Sequence, residues 1–96
     1  MKRLEIVANR SVREEVVTTL EAAVPGLTYT LVPVAHGRGG EDWRLGTTVW
    51  PEENFVLFTY QDDDVVDRLR ALLAGLKARY PREGMKWWSI RSEGDS

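Results

Sequence analysis

Phe55-Val56-Leu57-Phe58-Thr59-Tyr60 is apolar or aromatic almost without interruption. Such a run predicts a central strand buried on both faces. Asp62-Asp63-Asp64 follows, ahead of Val65, Val66, Leu69, Leu72, Leu73, Leu76 and Tyr80. Three carboxylates before that periodic pattern supply an N-cap and favourable charge at the positive end of a helix. Pro81-Arg82-Glu83-Gly84 stops this helix, and Met85 to Arg91 reads as a last strand before the polar tail Ser92 to Ser96. Trp87 and Trp88 are neighbours on that strand and point to opposite faces, one to the helix-side core and one to the other face.

Working back from residue 55, Leu4, Ile6 and Ala8 alternate with Arg3, Glu5 and Asn9, the pattern of a strand with one buried face. Ser11-Val12-Arg13-Glu14 then has the form of a capping box, with Ser11 as N-cap. Val12, Val16, Val17, Leu20, Ala23 and Val24 recur at helical spacing, and Pro25-Gly26 ends the helix. From Leu27 to His36 the chain is rich in threonine and β-branched residues, with Tyr29, Leu31, Pro33 and Ala35 on one face of a second strand. Pro33 has no N–H for a ladder, which puts this strand at a sheet edge or at a bulge. Gly37-Arg38-Gly39-Gly40 breaks it and opens a polar stretch of about fifteen residues ending at Glu53.

The order β-α-β-β-α-β is that of a ferredoxin-like α+β sandwich, an antiparallel sheet in order 4-1-3-2 with two helices on one face. It places the strand around Phe55 in the interior and Pro33 on an edge. The second sheet face then lacks cover, and Val7, Val32, Val34, Phe58 and Trp88 are apolar enough to favour self-association. Ninety-six residues suit a single domain spanning 1–96. A chain of this size builds a modest core and gains from oligomerisation.

With Lys+Arg 13 against Asp+Glu 15 and a formal charge of −2, there is no basic footprint for nucleic acid. The absence of cysteine removes disulfides, thiolate metal sites and cysteine nucleophiles, and fits a reducing compartment such as the cytoplasm. Charged residues come too early for a signal peptide, and no apolar run reaches the roughly 18–20 residues of a membrane span, so no direct membrane insertion is expected.

Gly37-Arg38-Gly39-Gly40 offers closely spaced N–H groups and a guanidinium, the ingredients of an anion site, or a simple glycine-rich loop entry. His36 is the one histidine, which excludes a multi-histidine metal site within one chain. As a base it would make the chain a small enzyme; as a strand-end residue it is solvated. Glu41-Asp42, Glu52-Glu53 and Asp62 to Asp64 could attract a divalent cation, although the last group reads better as a helix cap. Trp43 and Trp50 in the long loop either fold it onto the body or a neighbouring subunit, or contact a partner. Arg91 is a phosphate ligand only if a neighbour's glycine turn lies close.

Pro25-Gly26-Leu27-Thr28, then Val34-Ala35-His36-Gly37-Arg38-Gly39 and the ending Ile90-Arg91-Ser92-Glu93-Gly94, together resemble the PII signal-transduction proteins. In that family a Gly-Met-Thr turn opens the second strand and a Gly-x-Gly-Arg segment ends it. The resemblance implies a short PII-like homotrimer with nucleotide clefts between subunits. It also implies regulation, without catalysis, of a partner such as an enzyme or membrane transporter. Residues 39–53 correspond in position to the family's mobile T-loop, with Trp43 and Trp50 as partner contacts. Gly26, Leu27, Thr28, Gly37, Arg38 and Arg91 match positions of the nucleotide site, and Gly39 adjoins them. ATP, ADP or AMP is the implied ligand, with Mg2+ open. Ala35 replaces the first glycine of Gly-x-Gly-Arg, Gly39 replaces the following glutamine, and the Gly-x-Gly-Lys loop is missing. A CutA-like trimer holding a divalent cation is the alternative within the same fold superfamily.

Overall fold

A computed structural model describes residues 1–36 and 53–94. Its elements are β1 (Lys2–Asn9), a 3-10 turn (Arg10–Val12), α1 (Arg13–Ala23), β2 (Thr30–His36), β3 (Glu53–Gln61), α2 (Asp63–Arg79) and β4 (Met85–Arg91). The four strands form one antiparallel sheet in the order β2-β3-β1-β4. This is the expected ferredoxin-like order, with β3 and β1 inside.

Period-two alternation decides what β1 and β3 bury. Leu4, Ile6 and Ala8 of β1 and Phe55 and Leu57 of β3 are fully enclosed, packed with Val16 and Leu20 of α1 and Val66, Leu69, Leu73 and Leu76 of α2. The other set faces outward, where the register aligns Thr30, Phe58, Glu5 and Trp88 in one row and Val32, Val56, Val7 and Lys86 in the next. Trp87 packs half-buried against the core, whereas Trp88 is 47% exposed on the outer face. The two tryptophans thus divide between the faces as the strand pattern requires.

Three local readings need correction. Ser11 is not the N-cap: the Asn9 side chain accepts from the Ser11 N–H at 2.8 Å, and the Ser11 hydroxyl donates to Glu83 at 2.8 Å. A 3-10 turn precedes α1, so the cap comes one turn earlier and the Ser11–Glu14 box does not form. The second strand begins at Thr30, and the pairing with β3 slips between Val32 and Ala35. That bulge, beside Pro33, moves Ala35 to the outer face, opposite Asn54, and away from the face of Leu31. Glu53 belongs to β3, where it pairs with His36, and does not end the loop.

Candidate functional site

Of the described candidate residues, Gly26, Leu27, Thr28 and Arg91 lie at one end of the sheet and His36 at the other. One end gathers the turn before β2, the last residue of β3, the N-terminus of α2 and the end of β4. There α1 closes with the Val24 N–H donating to Leu20 O at 3.0 Å, and Leu27 N–H returns to Val24 O at 3.0 Å. Gly26 sits between them at φ 78°, a left-handed conformation that a side chain resists. Leu27 then packs half-buried on the core. The Thr28 carbonyl accepts the hydroxyl of buried Thr59 at 2.6 Å, while Gln61 Nε2 donates to that same hydroxyl oxygen at 2.9 Å. Tyr29 donates to Glu21 at 2.8 Å, and this bond raises the phenol pKa.

Arg91 lies at this same end, opposite Lys2. β3 and β1 separate its strand from β2, a span of about 14 Å for three strand spacings. The first turn of α2 is acidic, and Asp63 meets the Met1 amine at 3.2 Å. That hydrogen bond, with the charges of Lys2 and Arg91 adding to it, holds the Asp63 carboxyl below its ordinary value. Asp62 occupies the N-cap position without a side-chain cap bond.

The opposite end carries His36, which precedes Gly37 and Arg38 in the chain. Gly37, Arg38, Gly39, Trp43, Trp50 and the carboxylates Glu41, Asp42 and Glu52 lie outside the described residues. This end of the sheet is built by pairs that single-residue patterns did not announce. Glu53 faces His36 across the ladder and forms an ion pair with Arg10. The Pro81–Gly84 turn is tied down by Lys77, whose Nζ donates to Pro81 O at 3.3 Å and to Glu83 O at 2.7 Å. The Asn9 N–H donates to Gly84 O at 2.8 Å. These bonds make the turn a strut between α2 and β1, a use that explains Lys77 without any ligand.

Seven residues of β2 separate the two ends, roughly 20 Å. One protomer therefore brings Gly26, Leu27, Thr28 and Arg91 to one end and carries the chain leading into Gly37 and Arg38 at the other. Among the described residues there is no group of three or more His, Asp or Glu side chains suited to a metal ion, and nothing in them supports the CutA-like alternative. No helix among the described residues is long and apolar enough to cross a membrane.

Comparison with known proteins adds a fold. No protein-family model and no curated protein match the sequence. Solved structures do. A PII-like signaling protein from Thermus thermophilus superposes with a TM-score of 0.61 at 22% identity, covering 92% of this chain and 82% of that one. CPII, a nitrogen regulatory PII-like protein from Thiomonas intermedia bound to ADP, AMP and bicarbonate, gives 0.59 at 20% identity, with 95% and 86% covered. CPII bound to ADP, AMP and acetate gives 0.61 at 18% identity, with 97% and 88% covered. The chain has the fold of PII-like signalling proteins.

Proposed function

We propose that this chain is a PII-like regulatory protein of one domain that binds an adenine nucleotide between subunits of a homotrimer, and that it is not an enzyme. The reading is supported most by a single observation: its fold is that of CPII, which is bound to ADP and AMP. The distance between Gly26 to Thr28 and His36, at the two ends of β2, supports a site made by two subunits. A site shared by Gly26, Leu27, Thr28 and Arg91 of one subunit and Gly37, Arg38 and Gly39 of the next needs a head-to-tail contact. Such a contact, repeated around an axis, closes a ring. Backbone N–H groups and two guanidinium groups would then grip phosphate from both sides.

Residues 39–53 would carry the ligand state to a regulated enzyme or membrane transporter, with Trp43 and Trp50 as anchors. A ligand shifts such a loop only by as much as its affinity differs between the loop's states. The test is calorimetric titration with ATP, ADP and AMP, each with and without Mg2+ and with and without bicarbonate. Micromolar uptake that is lost in Arg38→Ala supports the reading; no heat with any nucleotide overturns it.

A further inference from the structure

Gln61 is half-buried at the end of β3, on the helix-facing side it shares with buried Phe55, Leu57 and Thr59. Its Nε2 donates to Thr59 Oγ1 at 2.9 Å, and Thr59 Oγ1 donates to the Thr28 carbonyl oxygen at 2.6 Å. The direction of this chain is forced. A carbonyl oxygen only accepts and a hydroxyl has one hydrogen, so Thr59 gives its hydrogen to Thr28 and can take only a donor from position 61. An acceptor there would turn the hydroxyl around.

Thr28 belongs to the turn that joins α1 to β2. Within that turn the Leu27 N–H returns to Val24 O at 3.0 Å and Gly26 holds its φ of 78°. The Thr59 hydroxyl ties the turn to the sheet, ahead of the first β2–β3 pair, Thr30 with Phe58.

We propose that Gln61 is a positioning residue for this turn, directing the Thr59 hydroxyl onto Thr28 and so holding Gly26, Leu27 and Thr28 in the shape that the nucleotide meets. The role rests on the proposed nucleotide site, of which those three residues are part. It depends on donor against acceptor at constant shape, which packing alone does not.

Gln61→Glu exchanges donor for acceptor with almost no change in volume. The charged carboxylate accepts from Thr59, draws its hydrogen away from Thr28 and releases the carbonyl. Protonated, the same carboxyl can donate and restore the original direction. Lys2 opposite position 61, its partner Asp67 and the adjacent Asp62 are present in wild type and variant alike, so the difference between the two isolates the new carboxyl.

The carbonyl-carbon NMR shift of Thr28, read without ligand, is expected to depart from wild type at neutral pH in Gln61→Glu and to approach it as pH falls below about 4. Calorimetry with ADP at neutral pH is expected to give a dissociation constant about fivefold higher in Gln61→Glu. In a Thr59→Val background the same change should cost less than about twofold, because its effect runs through the hydroxyl, whereas repulsion between carboxylate and nucleotide would persist there. Urea unfolding of each variant confirms that the fold is kept. A Thr28 shift indifferent to the residue at 61 overturns the inference, as does an undiminished loss of affinity in the Thr59→Val background. The expected Thr28 shifts with no ADP uptake by the wild type overturn the functional reading and leave the hold of Gln61 on the turn standing.

Discussion

Thr59 Oγ1 donates to the carbonyl oxygen of Thr28 at 2.6 Å, so the buried side of β3 holds the turn that leads into β2. Thr59 is almost fully enclosed, at 1% exposure. Thr59→Val keeps the shape and removes both the donor and the acceptor for Gln61 Nε2. It should cost about 1–2 kcal/mol in urea unfolding. It should also weaken nucleotide uptake by loosening Thr28, and unchanged stability would show that the bond contributes nothing.

The adjacent tryptophans separate core packing from surface cover. Trp87 packs half-buried against the core and Trp88 stands out on the other face. Trp87→Ala should cost about 3 kcal/mol of protomer stability, toward the low end for a buried aromatic. Trp88→Ala should cost the isolated protomer about 1 kcal/mol or less, and weaken self-association instead. Thermal melts at low and high protein concentration distinguish the two, and equal losses in both variants would contradict the facing of β4.

Legibility followed the range of the interaction. The apolar run at Phe55 and the ring constraint of Pro33 act within a few residues, so β3 came out interior and β2 at an edge. Yet β3 buries only the face of Phe55 and Leu57 and leaves Val56 and Phe58 half-buried and Tyr60 exposed, not both faces as the run suggests. Ser11 was misread because its competitor for the helix start, Asn9, lies at the end of a strand, and because Glu83 reaches its hydroxyl from far along the chain. Ala35 changed face because a bulge beside Pro33 added a residue that alternation cannot count. The Arg3 cluster on Phe58 and Tyr60 joins β1 to β3, the Arg10–Glu53 pair joins the 3-10 turn to β3, and neither leaves a periodic trace. Gly26 was legible as a helix end, and its positive φ bears that out. Glycine and arginine motifs could name candidate ligands of an anion, but not that Gly26 and Arg91 would share one end of the sheet while His36 stands at the other.

Acid should expose the Asp63 contact. Its folded carboxyl is held below the ordinary aspartate value by the Met1 amine, with Lys2 and Arg91 adding to the effect. A depressed folded pKa means that the contribution is present above the unfolded pKa, near 3.9, and is lost as pH falls through the lower folded value. Asp63→Asn should therefore lower stability slightly near neutrality, converge with the wild type in strong acid, and so flatten the acid limb of the stability curve. Urea midpoints between neutral and strongly acidic pH check this, and parallel curves for the variant and the wild type would remove Asp63 from the account.

Because Arg91 and the chain entering Arg38 lie at opposite ends of the protomer, each shared cleft would need one arginine from each of two subunits. Arg38→Ala and Arg91→Ala should both abolish nucleotide uptake as pure oligomers, since every cleft then lacks one guanidinium. Mixing the two variants under conditions that allow subunit exchange regenerates intact clefts wherever an undamaged end of one faces an undamaged end of the other. For random head-to-tail assembly at equal amounts, about a quarter of the clefts should recover. Titrating ADP into the exchanged mixture measures the recovered stoichiometry. Recovery near that fraction, at wild-type affinity, would assign the two arginines to different subunits of one site. Failure to recover despite verified exchange would mean that both arginines serve the same subunit's site, and the head-to-tail geometry would fall with it.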